Sequence, residues 1–274
     1  MLAAGTSPLY VRGMGEGPRS SLTENVWLAY GECMDLGIAG RRAAVAAASA
    51  GLGLGAAKAL AGEGVAVAIC GRDRTRIEDA AAQVGGGCIG LVHDVGGVDG
   101  AAAFVVAATE ALGAVDILVT NAGGPPPGDF ASTDVGAYQG AIELNLLSVV
   151  AMCKAAVAPM QTNGWGRVVA ITSLAVRQPM PHLILSNTAR AGATGFLKTL
   201  AREVAGDGVT VNSVQPGLHL TDRVRSLYGD AVPDGPLGDA DDFGAIVAFL
   251  CSEQANFLTG AQIHVDGGAY QALL

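Results

Sequence analysis

The groups best suited to chemistry in this chain are concentrated in a few short stretches. The first is Ala46-Ala47-Ala48-Ser49-Ala50-Gly51-Leu52-Gly53-Leu54-Gly55. Placed where a strand feeds a helix, its glycines let a pyrophosphate approach the backbone, and the helix N-terminus adds unpaired N–H groups and a favourable dipole. The run does not satisfy G-x-G-x-x-G, so a turn that merely packs helix on strand reads equally well. The second stretch is Ile69-Cys70-Gly71-Arg72. An acidic residue there would hydrogen-bond a ribose 2′-hydroxyl and exclude a 2′-phosphate, whereas Arg72 is placed to form a charge-assisted pair with that phosphate. The plainer reading is a solvated arginine opening a helix, since Asp73, Arg74 and Arg76 follow. Cys33, Cys70, Cys88, Cys153 and Cys251 are odd in number, widely spaced and free of any C-x-x-C. Neither a disulfide framework nor a zinc site follows, no metal is expected, and a reducing, cytoplasmic setting fits them best.

Elements that position these stretches are legible from the hydrophobic pattern. Short apolar runs at 43–48, 65–70, 88–92, 116–120, 167–172, 209–214 and 262–265 read as buried strands. Helical stretches at 54–62, 73–83, 98–112, 134–161, 184–205 and 240–252 lie between them. Strands spaced by single helices imply right-handed crossovers, and so a Rossmann-type, doubly wound, parallel seven-stranded α/β sheet with helices on both faces, in a single domain over 34–274. In such a sheet the ligand lies beyond the carboxyl ends of the strands. Residues 1–33 show no steady period and read as an N-terminal extension, either a disordered tail or a non-native start upstream of Met34; the alternative is an arm that packs on a neighbour.

Composition narrows the function. With 50% hydrophobic and only 15% charged residues in 274, the chain is too apolar for intrinsic disorder. Its net charge of −9 makes nucleic acid and anionic membrane surfaces poor partners, although a local pocket can oppose the global sign. The uncharged run from Ala43 to Ala57 is too short and too rich in Ala and Gly to span a bilayer, and the first residues carry no secretory pattern.

Further motifs stand in a consistent order along the chain: Ser49-Ala50-Gly51-Leu52-Gly53, His93-Asp94-Val95, Asn121-Ala122-Gly123, Asn145 within Glu143-Leu144-Asn145-Leu146, Pro216-Gly217 with Thr221, and Val265-Asp266-Gly267-Gly268. By these the chain from about Met34 to Ala269 resembles the classical short-chain dehydrogenase/reductases, especially the 3-oxoacyl-carrier-protein reductases. The resemblance implies a nicotinamide cofactor whose turn is Ser49, Gly51, Leu52 and Gly53. It places Asp94 and Val95 at the adenine, Asn121, Ala122 and Gly123 after strand four, and Pro216, Gly217 and Thr221 at the carboxamide. Asn145 matches the helix asparagine that helps hold a proton-relay water. A homotetramer or homodimer built on the two long helices and the last strand is implied as well.

The catalytic core departs from that pattern. Thr172-Ser173 supplies the family's serine, but the stretch beginning Arg190-Ala191-Gly192 aligns so that Arg190 takes the lysine position and Ser186 the tyrosine position. Ala47 replaces the first glycine of the cofactor turn. A phenol starts near pKa ~10, whereas a serine hydroxyl is shorter and far less acidic, so Ser186 is no direct substitute for tyrosine. Arg190 keeps its proton but retains the ability to bridge ribose hydroxyls and stabilise developing negative charge, and Ser173 to hydrogen-bond a carbonyl or alkoxide. Candidate proton sources are His219, His182, Tyr228, a water held by Asn145 and Ser186, or an enolic substrate itself. The segment Thr221–Asp239 reads as a lid or as a variable surface loop, Pro125-Pro126-Pro127 as a stiff loop over the cofactor, and Cys153 as packing. Three functions stay open. They are an NADPH-dependent ketoreductase (NADH less favoured) acting on a small-molecule carbonyl with a non-tyrosine proton donor, a nucleotide-binding regulator without turnover, and a non-redox cyclase or isomerase on the same scaffold.

Overall fold

A computed structural model describes residues 34–229 and 235–273. The reading of residues 1–33 as an extension therefore lies outside the described residues. Seven strands follow in chain order: β1 (Arg42–Val45), β2 (Ala66–Gly71), β3 (Ile89–Val92), β4 (Ile117–Thr120), β5 (Gly166–Ile171), β6 (Val209–Pro216) and β7 (Gln262–Val265). All neighbours are parallel, in the order β3-β2-β1-β4-β5-β6-β7. The helices are α1 (Gly51–Gly62), α2 (Arg74–Val84), α3 (Val98–Leu112), α4 (Val135–Ile142), α5 (Ser148–Asn163), α6 (Ile184–Val204), α7 (Asp222–Tyr228) and α8 (Ala240–Cys251).

Successive strand residues point to opposite faces, and here both faces are covered. Ala44, Leu118, Val168 and Val211 join Phe104, Met152 and Leu197 in one layer. Ala43, Val45, Ile117, Val119 and Val169 join Leu60, Ile77 and Phe243 in the other. That is why the strands read as continuous apolar runs without alternation. Against the second layer α1 and α8 meet backbone to backbone: a Cβ on Gly55 would overlap the Ala240 carbonyl, and one on Gly244 would overlap the carbonyl of Gly55. This contact sets how α1, and so the turn that precedes it, sits on the sheet.

Two elements differ from the sequence reading. The single helix expected over 134–161 is α4 and α5 joined by a π-helical turn, Glu143–Leu147. Its wider spiral buries Asn145, and the Ser148 hydroxyl donates to the Leu144 carbonyl at 2.6 Å. The stretch Val135–Asn163 is long and apolar enough to cross a membrane by length and composition. Val149, Met152, Cys153, Ala156 and Met160 are nonetheless buried within the domain, as expected of a core helix. The second difference is α7, which forms inside the supposed lid where Thr221 caps it by accepting from the Val224 N–H at 3.5 Å. Asp239 caps α8 in the same way, accepting from Asp241 and Asp242, whose charges complement that helix's N-terminus.

Candidate active site

The strand order reverses between β1 and β4, and the chain leaves these two strands toward opposite faces, opening a crevice at their carboxyl ends. Backbone bonds stitch the turn after β1 to both neighbours: the Ala46 N–H reaches Val119 O at 3.0 Å and the Ala48 N–H reaches Cys70 O at 2.9 Å. Between them Ala47 takes φ +47°, a left-handed conformation that an alanine rarely adopts. Its carbonyl accepts from Asn121 Nδ2 at 3.1 Å. A Cβ on Gly53 would lie 2.8 Å from that carbonyl and 2.9 Å from the same amide, so only glycine fits there. Gly51 has φ +59°, and Ala50 offers no side-chain cap, which leaves the first N–H groups of α1 facing the crevice. Leu52 is half-buried beside them, and Ser49 lies against Gly71 at the end of β2.

Arg72 follows directly, exposed and in no ion pair with a described residue, while Asp73 spends its carboxylate capping α2 on the Arg76 N–H at 2.8 Å. At the end of β3, Asp94 is exposed and accepts from the Gly96 N–H at 2.9 Å, and Val95 is buried.

Two side chains from two elements hold the loop Asn121-Ala122-Gly123, which also reaches out through Asn121. Asn121 bonds back to Ala47, Arg190 Nη2 reaches Ala122 O at 3.5 Å, and Asn145 Nδ2 donates to Gly123 O at 2.9 Å. The Oδ1 of Asn145 is buried without a partner among the described residues. Arg190, on α6, also donates from Nη1 to Ile171 O and Thr172 O, both at 3.1 Å, tying the end of β5 to the loop after β4. Burial, and then the nearby charge of Arg223, push its pKa down to about 10, so it remains a cation at neutral pH. Ser173 caps the one-turn helix Leu174–Val176, its Oγ accepting from the Ala175 N–H at 3.1 Å. Ser186 is buried on the first turn of α6, and its hydroxyl bonds to no described residue.

Pro216 ends β6, and Gly217 passes so near the Asp266 backbone that a Cβ would come within 2.8 Å of its Cα. Thr221 closes the far side, its Cγ2 only 3.3 Å from where a Cβ on Gly51 would stand. The helix it caps carries Arg223, which donates to Pro125 O at 2.8 Å and lies against Gly124. Arg223 was not singled out from the sequence; the motif that marked Thr221 ends two residues short of it, and its charge was the only available signal.

The histidines occupy other places. His219 is packed edge-on to Phe243 with centroids 5.1 Å apart, its Nδ1 3.3 Å from Gly217 O, so it props the loop and is shut away from a substrate. His182 is exposed beside Asp129 at 3.7 Å. Tyr228 ends α7. Cys153 is buried and its thiol is pushed up to about 12 by burial, which fits packing and rules against a nucleophile at neutral pH.

The arrangement is a crevice at the strand ends with a hydroxyl and a guanidinium at one end. The family model described as Enoyl-(Acyl carrier protein) reductase matches residues 46–270. The 3-oxoacyl-[acyl-carrier-protein] reductase of Salmonella typhimurium is 39% identical over 166 residues, 58% of this chain and 68% of that protein. Its Vibrio cholerae counterpart is 35% identical over 188 residues, 66% and 77%. Among solved structures, L-sorbose reductase from Gluconobacter frateurii, complexed with NADPH and L-sorbose, superposes with TM-score 0.80 at 28% identity, covering 88% of this chain and all of that one. A short chain oxidoreductase from Pseudomonas aeruginosa PAO1, described as containing an atypical catalytic center, superposes with TM-score 0.77 at 28% identity over 86% of this chain and 99% of its own. The chain belongs to the classical short-chain dehydrogenase/reductase family. Within it, the chain is an oxidoreductase resembling the 3-oxoacyl-carrier-protein reductases.

Proposed function

We propose that the protein is an NADPH-dependent reductase of a small-molecule ketone, such as a 3-oxoacyl or polyketide-like carbonyl, and that its proton donor is a water in place of tyrosine. The observation that carries this reading is a turn after β1 with no room for a side chain at Gly53, together with a buried Ser186, which the family resemblance aligns with the tyrosine position. In this reading Ser49, Gly51, Leu52 and Gly53 hold the pyrophosphate, and Arg72 the 2′-phosphate. Asp94 and Val95 take the adenine, Asn121, Ala122, Gly123 and Arg190 the ribose side, and Pro216, Gly217 and Thr221 the carboxamide. When bound, the nicotinamide supplies the hydride that attacks the ketone carbon. Ser173 donates to the carbonyl oxygen as the π pair moves onto it, and the fixed charge of Arg190 stabilises the alkoxide. Asn145 Oδ1 and Ser186 Oγ, both without a partner among the described residues, seat a water that passes its proton to that alkoxide and is reprotonated from solvent.

The NADPH bound in the Gluconobacter relative supports the choice of cofactor. Assembly as a homotetramer or homodimer fits edge strand β7 and the exposed Ile246, Phe249 and Phe257 nearby in sequence. A cytoplasmic site of action fits the four described cysteines, which are all free. The competing reading, nucleotide binding without turnover, is favoured by the donors that Arg190 already commits to carbonyls. NADPH deuterated at its transferable position decides between them. In the proposed reading the label appears on the carbinol carbon of a reduced 3-oxo thioester or simple ketone. Tight NADPH binding with no label transferred to any ketone offered would overturn it.

A further inference from the structure

The Arg190 end of the crevice holds two guanidinium groups and, among the described residues, no carboxylate paired with either. Arg190 rises from α6 and Arg223 descends from α7 onto Gly124 and Pro125. Among the described residues neither forms an ion pair, unlike Arg42 with Asp116, Arg74 with Glu78, and Arg41 and Arg167, which share Glu253. Among the described residues, the acidic groups of the neighbouring loops have other partners. Asp222 faces Arg76 and Arg225, at 3.9 and 3.5 Å. Asp266 accepts from the N–H groups of Gly268 and Tyr270. Asp129 is bound by Ser132, and Glu143 by Gln139.

The two cations repel, and burial strips Arg190 of part of the water that would screen them. Both are held by backbone carbonyls, which orient a guanidinium without neutralising it. In a chain of net charge −9 this concentrates positive potential in one crevice against the sign of the whole surface. An anion bridging the pair removes the repulsion and finds planar, forked donors suited to a carboxylate.

We infer that Arg190 and Arg223 form an anion seat and that the substrate is a carboxylate-bearing ketone, an oxo acid, in preference to a neutral ketone. This rests on the reductase reading: the carboxylate lies between Arg223 and Arg190 while the carbonyl oxygen faces Ser173. The cofactor's own pyrophosphate offers the same anionic chemistry, so the test separates the two sources.

Calorimetry on the complex with NADP+ measures binding without requiring turnover. The probes are pyruvate, acetoacetate and levulinate, each against its methyl ester. At least one acid is expected to bind about tenfold or more tighter than its ester, the scale of one charge-assisted contact. Arg223→Gln is expected to abolish that preference and leave NADP+ affinity unchanged, while Arg223→Lys retains most of it. Equal binding of acids and esters to the folded wild type overturns the inference. So does an Arg223→Gln variant that loses NADP+ affinity with the acid-to-ester ratio intact, which assigns the guanidinium to the pyrophosphate. Failure of NADP+ to bind at all would instead overturn the reductase reading, and the same acid and ester titrations of the cofactor-free protein then decide the anion seat.

Discussion

Ala47 is the residue at which sequence and backbone disagree most. It stands where the family has glycine and adopts the left-handed conformation that glycine would adopt freely. Relief of that strain is worth about 1–2 kcal/mol, less about 0.4–1 for the freedom a glycine returns to the unfolded chain, so Ala47→Gly should stabilise by up to about 1.6 kcal/mol. A denaturation midpoint that falls in this variant would show that the alanine methyl makes contacts outweighing its strain. At the reacting centre, removal of the hydroxyl in Ser173→Ala should lower kcat by about 10²–10³ with little change in NADPH affinity. If Ser186 and Arg190 take the family's tyrosine and lysine positions, as proposed, the double variant Ser186→Tyr/Arg190→Lys should raise kcat about tenfold or more, towards the usual contribution of a positioned general acid. Unchanged turnover in that variant would mean that proton delivery is not what limits this enzyme. These positions were legible through the resemblance of Thr172-Ser173 and of the stretch beginning Arg190-Ala191-Gly192 to the family's motifs. The orphaned Oδ1 of Asn145 and the left-handed Ala47 were not, since both depend on distant backbone: Gly123 for one, β2 and β4 for the other.

At the scale of elements, each strand reads directly from an apolar run because the sheet is covered on both faces. Boundaries shifted where local hydrogen bonding overrode composition. β1 stops at Val45, before the end of its apolar run, because Ala46 and Ala48 bond across to β4 and β2 through a twisted turn. The π-helical turn carries no composition signal; it is an extra residue in one helical turn and shows only in the hydrogen bonding. Nor was α7 anticipated, being seven residues held mainly by the Thr221 cap. The α1–α8 crossing depends on two glycines that sequence alone marks as ordinary. Gly244→Ala should overpack it and cost about 1–3 kcal/mol, with NADPH affinity falling as the first turn of α1 is displaced. A variant as stable as the wild type would show that the two helices separate freely.

At the scale of the molecule, a second cluster lies by the amino ends of the strands, away from the crevice. Trp165 is flanked by the guanidinium groups of Arg41 at 3.8 Å and Arg167 at 4.2 Å, while its indole N–H donates to Glu253 at 2.9 Å. Arg167 is fully buried, and Glu253 is the carboxylate nearest to it at 3.8 Å. Stability should also depend on alkaline pH through the buried thiols. Burial pushes Cys153 and Cys251 up to about 12 from an ordinary 9.0. The folded state keeps protons that the unfolded chain releases, so this contribution is complete below about pH 9 and is lost as pH rises toward about 12. The thermal midpoint should fall across that window, less steeply in Cys153→Ala/Cys251→Ala, and an identical slope in that variant would refute the linkage. The whole account turns on the cofactor, and calorimetric titration with NADPH and NADH in parallel tests it most directly. NADPH is expected to bind at least about tenfold tighter, about 1.4 kcal/mol, with the difference lost in Arg72→Ala. Binding of neither nucleotide to the folded protein would contradict it.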